Sequence, residues 1–100
     1  SGFIQIIFRL IGIDLPRDAY QQANIGENIA FLQQAELGDL AFFQNQDGKI
    51  THVGLLLGPD LIIHAHGKLR IDQIDNEGIF NRDTNKYTHK LRLIKSLKHL

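Results

Sequence analysis

Five histidines, His52, His64, His66, His89 and His99, are the side chains here best suited by type to acid–base chemistry near neutral pH. His52 opens the apolar run Val53-Gly54-Leu55-Leu56-Leu57, and His64 lies in the next one, Ile62-Ile63-His64-Ala65-His66-Gly67. A polar residue at the mouth of a buried strand is unusual. The turn signal Gly58-Pro59-Asp60 joins the two runs as a hairpin. A centre near Pro59 sets His52 across from His66 and diagonal to His64. Residues two apart on a strand share a face, so His64 and His66 point the same way.

Three readings of this trio stand side by side. The histidines are satisfied core or surface residues whose closeness is incidental. Alternatively, His52, His64 and His66 bind a metal, since three imidazoles suit an open zinc site, although no carboxylate stands beside them at motif spacing. In the third, one histidine is a general base and another orients it, which requires a nucleophile nearby. The sequence offers Ser1 but no cysteine. His89 and His99 lie in a basic C-terminal segment with no nearby sequence partner and read as exposed.

The elements that must position these residues follow from periodicity. Residues Ser1 to Ile13 read as a helix with Phe3, Ile6, Ile7, Leu10 and Ile11 on one face, Ser1 near the N-cap and Gly12 as the stop. Pro16 breaks the chain and Asp18 caps a short helix from Ala19 to Ala23. Asn24 to Glu36 is mostly loop, with a brief strand or turn at Ile29 to Leu32. Strand patterns cover Asp39 to Gln44, Thr51 to Leu57, Leu61 to His66 and Leu69 to Ile74, and Asn45-Gln46-Asp47-Gly48 reads as a turn. Asp75 to Tyr87 reads as a loop with one helical turn. Leu91 to Leu97 alternates and suits a final strand, with Leu91, Leu93 and Leu97 on one face. Helices followed by an antiparallel meander predict an α+β fold, with N-terminal helices packed on a sheet of about five or six strands.

Composition sets further bounds. One hundred residues make about one small domain. Eleven basic and eleven acidic residues balance to zero, which excludes a strongly cationic nucleic-acid binder. With 43% hydrophobic residues the chain has enough apolar surface to fold, and no run is long enough to span a membrane. Without cysteine there is no disulfide scaffold and no thiolate metal site among these residues. Thr84 to Leu100 carries Lys86, Lys90, Arg92, Lys95 and Lys98 and no acid, which reads as a solvated edge strand or tail, with a docking surface for an anionic polymer as the alternative.

Five segments, in order, resemble the catalytic domain of the NlpC-type cysteine peptidases, papain-like hydrolases of bacterial cell-wall peptides. Ser1-Gly2-Phe3 resembles the end of that family's Asp-Cys-Ser-Gly-Phe signature at the head of its first helix. Leu15-Pro16-Arg17-Asp18-Ala19-Tyr20-Gln21-Gln22 resembles the segment after that helix. Leu37-Gly38-Asp39-Leu40-Ala41-Phe42-Phe43 resembles the Pro-Gly-Asp-Leu strand. Thr51-His52-Val53-Gly54-Leu55 resembles the catalytic His-Val-Gly strand, and Ile63-His64-Ala65 the strand of the third catalytic member. The match runs from Ser1 to about Leu97.

The resemblance implies His52 as the acid–base residue and His64 as its orienting partner. Ser1, Gly2, Arg17, Asp18 and His66 then shape the substrate groove, and no cofactor or metal is required. Read as ordinary structure, Arg17 and Asp18 are a helix start and His66 a rim residue. Asp39 satisfies turn backbone groups, while Phe42 and Phe43 are core. The family's nucleophile immediately precedes the Ser-Gly pair, so the resemblance places it one residue before Ser1. Residues 1–100 are accordingly expected to be a single catalytic domain cut just after its nucleophile, with an all-β targeting domain upstream and an apolar patch exposed without it. The implied substrate is a peptidoglycan stem peptide, cut at the γ-D-glutamyl-diaminopimelate (or lysine) amide. The implied location is the cell envelope or periplasm, with cytoplasmic peptide recycling as the other setting. A catalytically dead peptide-binding module on the same fold is the runner-up.

Overall fold

The computed structural model describes residues 2–99. Ser1, expected at the N-cap and in the groove, lies outside them. The first helix, α1, spans Gly2–Leu10. It ends in a Schellman motif: Gly12 has φ +87°, its N–H donates to the Arg9 carbonyl (3.1 Å), and the Ile13 N–H donates to the Phe8 carbonyl (2.9 Å). Its buried face differs from the expected stripe. Ile4 and Phe8 are buried with Phe3 and Ile7 half-buried, whereas Ile6, Leu10 and Ile11 are exposed. The helix is apolar nearly all round, so spacing alone offered more than one seam.

Asp18 stands at the N-cap of α2 (Ala19–Gln22) with extended dihedrals, but its side chain makes no capping hydrogen bond. The following segment holds a short strand, β1 (Glu27–Ile29), and a 3-10 turn at Leu32–Gln34. Six strands complete the chain: β2 (Leu40–Gln44), β3 (Ile50–Leu56), β4 (Leu61–His66), β5 (Lys68–Ile74), β6 (Gly78–Asn81) and β7 (Lys86–Ser96). The expected α+β class holds, with one strand more than the upper expectation.

Each strand from β2 to β6 is linked to the next by a short turn and pairs with it, and β7 pairs with both β6 and β2. The sheet therefore closes on itself, and β1 adds to the edge of β7 through Glu27↔Ser96 and Ile29↔Ile94. This corrects two expectations. The stretch read as a loop from Asp75 to Tyr87 contains β6, whose Ile79 and Phe80 are too few apolar residues to mark a strand amid Asn, Asp and Glu. The basic segment is not a free edge: β7 starts five residues earlier than expected and pairs with β6 over Lys86 to Lys90, with β2 over Lys90 to Lys95 and with β1 over Ile94 to Ser96, with Lys86 and Lys90 exposed and Lys95 half-buried. Closure removes the sheet edge that those lysines were expected to protect.

Strand β2 is buried on both faces. Leu40 and Phe42 join Ile4, Phe8, Leu15, Ala19 and Val53 in a core beneath the helices. Ala41 and Phe43 join Leu56, Ile62, Ile74, Ile79 and Ile94 inside the closed sheet. A bulge decides which side Leu91 serves. Phe42 pairs with Leu93 but Phe43 pairs with Leu91, so one extra residue on β7 turns Leu91 to the inner core while Leu93 stays with the helices. The alternation expected to hold Leu91, Leu93 and Leu97 on one face is broken there.

Candidate active site

The inner face of the closed sheet is apolar at one end and polar at the other. His52 pairs with Phe43, and Gly54 pairs with His64 across the β3–β4 hairpin. This register is the one a turn centred on Pro59 demands. His64 in turn pairs with Arg70, and Ile62 with Asp72. His89 pairs with Ile79. His52, His64, Arg70, Asp72 and His89 thus share the face that carries Phe43, Leu56 and Ile62.

A continuous hydrogen-bonded line runs through them. Arg70 donates from Nε to Asp72 Oδ2 (3.1 Å) and from Nη2 to Asp72 Oδ1 (3.2 Å), and it also reaches Asp83 Oδ2 at 3.2 Å. Asp72 Oδ2 lies 2.7 Å from His64 Nε2, and His64 Nδ1 lies 2.9 Å from His52 Nε2. Burial alone would raise the Asp72 carboxyl, but its bonds to Arg70 and His64 overcome this and hold it below the usual carboxylate range. Asp72 is therefore an acceptor, and the tautomers follow from it. His64 must carry its proton on Nε2, which leaves Nδ1 as an acceptor. His52 must donate from Nε2 to that acceptor. The remaining lone pair, on His52 Nδ1, becomes the basic atom of the site.

Burial also sets the charge state. It pushes His52 down to about 3, helped by neighbouring His89 and His64. His64, fully enclosed, is lowered by burial despite the opposing pull of Asp72. His89 is lowered to about 4 by burial and by His64 and His66. At neutral pH these rings stand uncharged, so His52 presents a neutral imidazole lone pair.

The structure brings together His52 and His64 as expected, and it adds two residues that the sequence did not single out. Asp72 is eight positions from His64 and on another strand, so no motif spacing marks it. Its signal was pairing register: five residues of β5 beyond the Gly67 turn lead back beside Ile62. His89 was expected to be exposed. Instead it is half-buried and stacked on His52, with ring centroids 4.1 Å apart and planes inclined by 22°. Its signal was the alternation from Leu91, continued two residues back. Phe43 underlies both rings, with centroids 5.7 Å from His52 and 6.0 Å from His89.

The other expected residues fall outside the line. His66 is exposed at the rim, its ring 6.3 Å from that of His64 and 4.9 Å from that of His89. Arg17 and Asp18 are exposed where α2 begins, and neither side chain bonds to the histidines. Gly2 starts α1. His99 is exposed. Asp39 is buried and accepts from the Glu36 N–H at 2.8 Å, the turn role expected of it. Beside His89 a groove of about 570 Å³ opens between Gln44, Thr51, Glu77 and Tyr87.

If Asp72 sets the tautomers, Asp72→Asn replaces a two-oxygen acceptor by a group that offers one. We expect His64 to change from a single Nε2–H tautomer to a mixture. Imidazole ¹⁵N shifts would read this directly. An unchanged, single-tautomer spectrum would mean that Asp72 supports the strand but does not orient the ring.

The model of the NlpC/P60 family matches residues 1–89, most of the chain and every residue of the hydrogen-bonded line. The chain belongs to the NlpC/P60 family. Over 67 residues, 65% of this chain and 22% of the relative, it is 42% identical to the γ-D-glutamyl-L-lysine dipeptidyl-peptidase of Bacillus subtilis strain 168. It is 38% identical over 68 residues to a probable endopeptidase NlpC homologue of Haemophilus influenzae, covering 65% of this chain and 33% of that one. Among solved structures it is similar to NlpC2 from Trichomonas vaginalis, with a TM-score of 0.71 and 26% identity over 95% of this chain and 35% of that chain. The chain thus spans between a fifth and a third of the length of these curated relatives. Among the described residues no helix is long and apolar enough to cross a membrane.

Proposed function

We propose that this NlpC/P60 chain is the catalytic domain of a cell-wall cysteine endopeptidase that cuts the γ-D-glutamyl-diaminopimelate (or lysine) amide of peptidoglycan stem peptides. The observation that carries this reading is the Asp72–His64–His52 line, which ends in a neutral imidazole with a free lone pair. The nucleophile is the cysteine that the family signature places immediately before Ser1. A thiol at the head of α1 feels the positive end of the helix dipole, which favours thiolate.

The steps follow from proton placement. His52 Nδ1 takes the thiol proton, and the thiolate holds the resulting imidazolium. The sulfur attacks the γ-glutamyl carbonyl carbon, and the tetrahedral oxyanion meets backbone N–H groups of the first turn of α1. As the C–N bond breaks, His52 returns the proton to the leaving amine. A thioester remains. Water then adds, with His52 as base, and the thiolate leaves with release of the γ-glutamyl carboxylate. Throughout, His64 accepts from His52 Nε2 and fixes its ring, and Asp72 fixes His64. Ser1, Gly2, Arg17, Asp18 and His66 form the substrate groove by family resemblance.

The test is hydrolysis of L-Ala-γ-D-Glu-diaminopimelate by the longer chain that carries the residue before Ser1. Cleavage that iodoacetamide abolishes is expected. Binding of the peptide without cleavage would replace this reading by the non-catalytic one. A solved relative of this fold, RipD from Mycobacterium tuberculosis, is described as non-catalytic and adapted to peptidoglycan binding; it has a TM-score of 0.69 and 24% identity over 96% of this chain and 64% of its own.

A further inference from the structure

One ring nitrogen from each of His52, His64 and His89 lies within 4.8 Å of the other two. We propose that these three histidines form a binding site for a divalent transition-metal ion, zinc foremost, in which the ion displaces the hydrogen bond between His52 and His64.

Three features of the molecule support the site beyond proximity. The first is ligand orientation. Asp72 takes the Nε2–H of His64 at 2.7 Å, which aims the Nδ1 lone pair at the cluster. A carboxylate behind a histidine, fixing its tautomer, is the outer-shell arrangement that zinc-binding imidazoles use. His89 Nδ1 lies 2.8 Å from Thr88 Oγ1, and with its N–H donating to that hydroxyl Nε2 of His89 is the ligand atom. The second is packing. His64 is buried, and His52 and His89 are half-buried against one another with Phe43 beneath both rings. The third is spacing. Two nitrogens at about 2.0–2.1 Å from a tetrahedral zinc are roughly 3.3 Å apart. His52 Nε2 and His64 Nδ1 are already 2.9 Å apart, so the distance is close, and each ring has to turn for the two lone pairs to converge on one ion.

Closing the site asks more of His89. Its ring is stacked on His52 and must tilt out of the stack for its lone pair to converge. That movement is open to it, because its face toward the groove is solvent-accessible. Proton balance is simple. Ligation by Nε2 requires the other tautomer of His52: the proton that Nε2 donates to His64 moves to Nδ1, and the ring stays neutral. Three imidazoles leave the fourth tetrahedral position open to water or to an anionic sulfur, as in open zinc sites. His66 is at the rim and outside this set, so the trio differs from the one that sequence spacing suggested.

The site does not depend on the peptidase reading, although where that reading holds an occupied site would remove His52 from proton transfer. The test therefore measures binding. Zinc and cobalt(II) are titrated into the chain, followed by calorimetry and by the visible absorption of tetrahedral cobalt. One ion per chain is expected, with imidazole resonances of His52, His64 and His89 shifted and those of His66 and His99 unmoved. His89→Ala should weaken zinc by at least about tenfold, the lower end of losses seen for outer-shell changes alone, while His66→Ala leaves it unchanged. The resonance shifts in the unaltered chain decide the matter even if His89→Ala fails to fold. Absence of saturable binding, or shifts centred on His66 or His99, would overturn the proposal. So would undiminished affinity in folded His89→Ala.

Discussion

His52→Ala, made in the chain that carries the residue before Ser1, is expected to lower kcat/KM on the γ-D-glutamyl peptide by roughly 10³-fold. That is the middle of the range for a positioned acid–base group. In the proposed mechanism His52 takes the thiol proton and gives it to the leaving amine, so both steps lose their carrier. The loss should fall mainly in kcat, since the imidazole makes its strongest interactions as charge develops. His64→Ala removes the acceptor that fixes the ring and should cost less, because His52 keeps its own basic nitrogen. His66→Ala should be mild, since its side chain stands at the rim with no bond to the line. Steady-state kinetics on the three variants would check the order. Comparable losses at all three positions would sink the peptidase assignment, because only a shared role such as ligation treats them alike.

Gly78→Ala is expected to have the largest effect on stability. Gly78 has φ +147°, and a Cβ there would lie 1.8 Å from the carbonyl oxygen of His89 and 3.1 Å from the Leu91 nitrogen. Both obstacles are backbone, held by the β6–β7 ladder through Gly78↔Lys90 and by the Leu91 N–H to the Glu77 carbonyl at 3.1 Å. Neither can rotate away as a side chain would. The cost should reach or exceed about 3 kcal/mol, the upper end for overpacking. At about 4–8 °C per kcal/mol for a domain of this size, Tm should fall by at least roughly 12 °C. Gly2→Ala is the contrast: nothing lies within 4 Å of its added Cβ, and its backbone is helical. Thermal melts followed by circular dichroism would compare them. A Tm for Gly78→Ala near that of Gly2→Ala would show that β6 shifts freely against β7. Because Gly78 admits the strand next to His89, this glycine links the closure of the sheet to the placement of the third histidine.

Much of the fold was legible because local chemistry and tertiary demand agree. Gly12 stops α1 with a positive φ, as its position after the apolar run implies. Asn45 closes its turn with two backbone bonds to its side chain, from the Asp47 and Lys49 N–H groups at 3.0 Å each. The Gly58-Pro59-Asp60 turn sets the β3–β4 register, and that register alone brings His52 to His64. The pair was therefore readable from a turn and a period of two.

What sequence alone determined about this protein is the set of local decisions: where helices stop, where hairpins turn, which histidines share a strand face, and the motif order of the NlpC/P60 family. What the tertiary structure decided lies at contacts between distant segments. The face of α1 was settled by what it packs against, since an almost wholly apolar helix has no seam of its own. The identity of β6 was settled by its two neighbours, which complete hydrogen bonds that two apolar residues could not announce. A bulge opposite Phe42 and Phe43 settled that Leu91, with His89 two residues before it, faces the inner core while Leu93 stays beneath the helices. Asp72 reaches His64 only through the β4–β5 register. A proton line needs atoms about 3 Å apart; the β3–β4 and β4–β5 pairings bring His52, His64 and Asp72 that near, and closure of the sheet through β7 adds His89 beside them.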